Sequence, residues 1–103
     1  MGKSQISILI VDDEEDIRDI LEIALKDIGY TVFLAENGER AFEVFKSERP
    51  DIVITDIKMP VMDGIELLKR IKQENPETQV LMITGHGDME LAVKSLQYEA
   101  ADF

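Results

Sequence analysis

Apolar and polar positions along the chain alternate between two kinds of pattern. Short continuous apolar runs, rich in β-branched residues, occur at Ile6 to Val11, Ile52 to Ile54 and Val80 to Ile83, with a shorter one at Tyr30 to Ala35. Each is too short for a helix and is typical of a strand buried on both faces. Between them apolar residues recur at helical spacing. Ile17, Ile20, Leu21, Ala24, Leu25 and Ile28 mark a first helix closed by Gly29, and Ala41, Phe42, Val44 and Phe45 a second that stops before Pro50. Asn37-Gly38 reads as a turn between strand and helix. Ile65, Leu68 and Ile71 mark a third helix, ended by Asn75-Pro76, and Met89, Ala92, Val93 and Leu96 a fourth with Asp88 as its N-cap. A fifth strand begins at Ala101-Asp102-Phe103.

Strands alternating with helices predict an α/β domain built on a doubly wound parallel sheet with right-handed crossovers. Those crossovers put the first helix on one face and the next two on the other, because the winding reverses between the second and third strands. A strand order of 2-1-3-4 would set the first and third strands side by side at the centre. Open sheets of this kind carry their ligand sites at the carboxyl ends of the central strands.

Composition narrows the picture. The 103 residues make one domain with a modest core, and 45% hydrophobic and 32% charged residues are ordinary for a globular chain. No apolar run is long enough to span a bilayer and no signal-peptide pattern opens the chain, which places it in the cytoplasm. Cysteine is absent, which excludes disulfides, zinc-thiolate sites and thiol catalysis. A formal net charge of −11 argues against direct nucleic-acid binding and for a cation or a basic partner surface.

The carboxylates at the strand ends are the candidate chemistry. Asp12 and Asp13 follow the first strand and Asp56 the third, so the expected topology gathers three acids at one small site. Like charges about 4 Å apart repel by roughly 4 kcal/mol at an effective dielectric near 20, and a hard divalent cation such as Mg2+ relieves this with oxygen ligands. Glu14, Glu15 and Asp16 read instead as acids suited to the positive end of the first helix. Beyond Asp56, Pro60 and Asp63-Gly64 force an irregular loop before the helix that begins at Ile65. Gly85 and Gly87 form no phosphate-binding glycine loop, since neither a Walker pattern nor GxGxxG is present.

ILIVDDEEDIR, DIVITDIKMPVMDG and VLMITGHGD, occurring together at consistent element positions, resemble the receiver domain of two-component response regulators from about Ile6 onward. The resemblance implies a flavodoxin-like receiver fold and a cytoplasmic phosphorelay signalling module working with a histidine kinase or histidine phosphotransfer protein. Asp56 matches the phosphoacceptor that takes the phosphoryl group of a phosphohistidine. Asp12 and Asp13 match the acidic pair that, with Asp56 and the backbone carbonyl of Lys58, binds Mg2+. Thr84 matches the switch hydroxyl and Phe103 the switch aromatic, which alter a face read by a downstream output domain or protein. Lys58 and His86 match positions that tune dephosphorylation. Chemistry of this kind is self-phosphorylation and slow autodephosphorylation rather than turnover of a small substrate.

The family's lysine at the end of the fifth strand has no counterpart among these residues, and neither has the last helix. The chain, 1–103, therefore reads as a receiver truncated at its C-terminus. Two alternatives follow from the residues: a receiver-like interaction domain left phosphorylation-incompetent by the missing lysine, and a Mg2+-dependent phosphohydrolase with Asp56 as nucleophile. The second is disfavoured by Lys58, which stands where such an enzyme needs a second acid. A bare sheet face and an unpaired fourth strand predict self-association.

Overall fold

The computed structural model describes residues 6–57 and 62–83. The elements run β1 (Ser7–Val11), α1 (Glu15–Ile28), β2 (Thr31–Ala35), α2 (Gly38–Glu48), β3 (Ile52–Asp56), α3 (Gly64–Glu74) and β4 (Gln79–Ile83). All pairings are parallel, as the alternation of strands and helices predicts, and the order is β2-β1-β3-β4, the one that the resemblance implies. The fourth helix and the incipient fifth strand fall outside the described residues. Among the described residues no helix is long and apolar enough to cross a membrane.

The central strands are apolar from Ile8 to Val11 and from Ile52 to Ile54 because each face of the sheet has its own cover. On one face Ile8 and Ile10 of β1, Val32 of β2 and Ile54 of β3 pack with Leu21 and Leu25 of α1. On the other, Leu9, Val11, Ala35 and Val53 pack with Ala41 and Phe45 of α2 and Leu67 and Ile71 of α3. The two-residue period of the strand thus divides one sequence run between two cores. Among the described residues one helix lies on the first face and two on the second, the arrangement that right-handed crossovers dictate.

The helix ends follow from local chemistry. Gly29 takes a left-handed conformation, φ 114°, and its N–H donates to the last carbonyls of α1. Asn37 is an N-cap rather than a free-standing turn: its side chain accepts from the Arg40 N–H at 2.8 Å, and Gly38 already belongs to α2. Asp63 does the same for α3, accepting from the Glu66 N–H at 2.9 Å, so this helix begins one residue earlier than the apolar spacing indicates. Arg49 ends α2 with φ 50°, a left-handed position held without glycine. Its guanidinium lies over the Phe45 ring, 5.4 Å from the centroid. At the amino edge of the sheet, Asp51 ties β3 to β1, its carboxylate accepting from the Ser7 N–H at 2.9 Å and the Ser7 hydroxyl at 3.2 Å.

Candidate functional site

Strand register brings the site together. Val11 pairs with Thr55 across the β1–β3 ladder, so the next residue on each strand, Asp12 and Asp56, emerges at the same level of the sheet's carboxyl edge. The two-residue period assigns Asp12 to the face of Ile8 and Ile10, and Asp56 to that of Ile52 and Ile54, which is one and the same face. Asp13 follows immediately. Carboxylate oxygens of Asp12, Asp13 and Asp56 all lie within 4.8 Å of one another.

The three acids differ in surroundings. Asp12 is only 1% exposed, Asp56 is half-buried and Asp13 faces solvent. Backbone bonds fix Asp12 at both ends: its N–H donates to the Ala35 carbonyl at 3.2 Å, and its own carbonyl accepts from Arg18 Nη1 at 2.7 Å. Its carboxylate Oδ1 accepts from the Glu14 N–H at 2.8 Å. That bond caps the entrance to α1, whose own N-cap residue, Glu14, makes no side-chain cap bond. Glu15 and Asp16 lie in the first turn of α1 and are exposed, as expected for acids that complement the helix dipole. On the other strand, Thr55 Oγ1 donates to the Asp56 carbonyl at 3.0 Å, and the Gly64 N–H donates to the Ile57 carbonyl at 2.9 Å. The loop after β3 returns to the core at Met62, 8% exposed among Phe45, Leu67 and Ile71.

The donor set suits a small hard cation. Three carboxylates offer only oxygen, the ligand type Mg2+ and Ca2+ select, and among the described residues no nitrogen or sulfur donor joins them. Mg2+ takes its ligands at about 2.1 Å, so three oxygens gathered within 4.8 Å of one another stand near enough to share such an ion. Mutual repulsion of the acids favours the same occupant.

Of the sequence-derived candidates, Asp12, Asp13 and Asp56 are brought together, while Lys58, Thr84, His86 and Phe103 lie outside the described residues. Two contributors had no signature in the pattern. Arg18 is six residues from Asp12, on a helix while Asp12 ends a strand, and it acts through a backbone carbonyl. Gly64 is visible only as half of an Asp-Gly pair, which marks a loop end without revealing what its backbone touches.

A family model described as response regulator receiver domain matches residues 8–103. Over 94 residues the chain is 44% identical to DNA-binding transcriptional regulator NtrC of Escherichia coli (strain K12), covering 91% of this chain and 20% of that protein. It is 41% identical over 93 residues to sporulation initiation phosphotransferase F of Bacillus subtilis (strain 168), covering 90% of this chain and 75% of that one. Among solved structures, response regulator protein TrrA of Thermotoga maritima, in complex with Mg(2+)-BeF, superposes with a TM-score of 0.74 at 39% identity, covering 78% of this chain and 70% of that chain.

Proposed function

Because this chain belongs to the response regulator receiver family, whose members signal in two-component systems, we propose that its carboxyl-edge site accepts a phosphoryl group on Asp56. The observation that carries this reading is the meeting of three carboxylates from two separate strands within 4.8 Å. Asp56 is the nucleophile. One of its oxygens forms the new bond to phosphorus while the bond from phosphorus to a donor histidine nitrogen breaks, the electron pair returning to the imidazole. Asp12 and Asp13, with Asp56, hold Mg2+, and the Lys58 carbonyl completes the protein's share of the ligands. The ion, when bound, supplies charge neutralisation around the phosphoryl oxygens.

Asp12, buried and bonded through its N–H, its carbonyl and its carboxylate, is the fixed point of the site. Asp13, exposed beside it, is the ligand open to solvent and to an incoming donor. The Mg(2+)-BeF complex of TrrA supports the pairing of a divalent ion with a phosphoryl-like group here. Thr84 and Phe103 are assigned the switch, Lys58 and His86 the tuning of hydrolysis, and a histidine kinase or phosphotransfer protein the role of donor. The chain spans 20% of the length of NtrC, and a downstream output domain or protein reads the face that the switch alters. Leu81 of β4, 39% exposed and level with Ile54 on the face that α1 covers, favours self-association through that sheet face.

Incubation with Mg2+ and acetyl phosphate followed by intact-mass measurement tests the reading. One phosphoryl adduct, lost in Asp56→Ala, is expected. Turnover of acetyl phosphate without an adduct would mean a phosphohydrolase, and no reaction at all would mean a receiver-like interaction domain.

A further inference from the structure

The carboxylate of Asp56 is only as well placed as the backbone that carries it, and that backbone is in contact with the first residue of α3. A Cβ on Gly64 would stand 2.5 Å from the Asp56 carbonyl oxygen, 3.0 Å from Ile57 Cα and 3.2 Å from the Asp56 carbonyl carbon. All three are main-chain atoms, so no change of rotamer could make room. At the same point the Gly64 N–H donates to the Ile57 carbonyl at 2.9 Å. The 56–57 segment, already paired with β4 through Asp56, thus receives both a hydrogen bond and a close packing contact from one residue at the start of α3.

We infer that Gly64 is a positioning residue for the phosphoacceptor, setting the direction in which the Asp56 carboxylate leaves the strand. The inference rests on the proposed phosphoacceptor reading and deepens it. The reasoning is mechanical. Leu67 and Ile71 are fully buried and anchor α3, and Val53 and Ile54 are fully buried and anchor the middle of β3. Asp63 further fixes the first turn of α3 through its bond from the Glu66 N–H. Asp56 and Ile57 lie between these anchors and are partly exposed, so a methyl group at position 64 displaces the acceptor's end of β3 rather than the buried body of either element. Helix propensity acts in the opposite direction, since alanine is the better residue within a helix. A loss on adding a methyl group here therefore reports the contact and not the helix.

Gly64→Ala, wild type and Ile71→Val are compared by the rate of adduct formation from acetyl phosphate across a Mg2+ titration, with circular dichroism confirming that each is folded. Ile71→Val weakens the same core without approaching the site. Wild type and Ile71→Val should react alike. Gly64→Ala should react about 10- to 100-fold more slowly at saturating Mg2+, the loss expected when a reacting group moves by up to an ångström. It should also need more Mg2+ for its half-maximal rate. A Gly64→Ala chain that folds and reacts at the wild-type rate overturns the inference and leaves the phosphoacceptor reading intact, whereas a wild-type chain that forms no adduct overturns that reading itself. Should Gly64→Ala fail to fold, a ligated chain carrying an ester in place of the residue 64 amide removes the N–H without adding bulk. Slower adduct formation by the folded ester supports the positioning role, and a wild-type rate refutes it.

Discussion

Replacing Asp12 by asparagine should make the metal-free protein more stable while removing most of its response to Mg2+. Asparagine has the same shape and keeps an oxygen for the Glu14 N–H, 2.8 Å from Oδ1, so the change is chiefly one of charge. Two repulsions disappear, with Asp13 and with Asp56, at carboxylate separations of no more than 4.8 Å. At that distance each is worth about 3.5 kcal/mol at an effective dielectric of 20 and about 0.9 kcal/mol in water. Asp12 is buried but Asp13 is exposed and Asp56 only half-buried, so a value between these limits applies, about 2 kcal/mol per pair. Against this, the bond from the Glu14 N–H loses its charge assistance and the α1 dipole loses a nearby anion, together about 1.5 kcal/mol. The net gain is roughly 2 kcal/mol, equivalent to about 10 °C in Tm for a domain of this size.

Thermal unfolding followed by circular dichroism, in EDTA and in saturating Mg2+, measures both effects. Wild type should rise in Tm with Mg2+, since an ion present at a hundred times its Kd stabilises by about 2.7 kcal/mol. Asp12→Asn should start higher and rise little. A variant that melts below wild type in EDTA, or that gains as much from Mg2+ as wild type, would refute the argument that the cluster is a repulsive site relieved by a cation.

Two further outcomes concern the scaffold. Asp51→Ala removes the acceptor of the Ser7 N–H and hydroxyl at the edge of the sheet opposite the site, and should lower stability by about 1 kcal/mol, seen as a lower urea midpoint with unchanged slope and unchanged Mg2+ response. Arg49→Val places a β-branched residue at φ 50° and removes the guanidinium from the Phe45 ring, so it should cost about 2 kcal/mol by urea unfolding. Arg49→Gly loses the same stacking but relieves the backbone and should stay within about 0.5 kcal/mol of wild type.

The parts of the fold that were legible in the sequence are those where one physical requirement dominates. Ile8 to Val11 and Ile52 to Ile54 read as central strands because both faces are covered, leaving no position for an outward polar residue. Asp12, Asp13 and Asp56 stood out because acids at the ends of such runs have no reason to be there on grounds of packing. Asn37 was harder, since the same side chain serves a turn or a helix cap, and only the helix behind it decides. Arg49 gave no sign of its left-handed backbone, because the usual marker is glycine and here a stacked guanidinium holds the conformation. Arg18 and Gly64 were invisible for a common reason: each acts on another residue's main chain, which leaves no pattern in side-chain type.

Core and site share a single determinant, the β1–β3 register. Like charge sets the carboxylates of Asp12 and Asp56 against each other, so the backbone must hold them close. The pairing of Val11 with Thr55 imposes it, and that pairing is in turn fixed by which side chains enter which core. A slip of β1 by one residue would turn Ile8 and Ile10 toward α2 and α3, send Leu9 and Val11 toward α1, and carry Asp12 to the wrong face in the same step. Apolar burial on two faces therefore holds together an arrangement of charges that would not assemble by itself, and tolerance for that repulsion in the metal-free state is what leaves a vacated charge for Mg2+ to neutralise. Substitutions that loosen the register should weaken ion binding even when they lie far from the carboxyl edge, while those that only thin the core on one face should lower stability and leave the three acids in place.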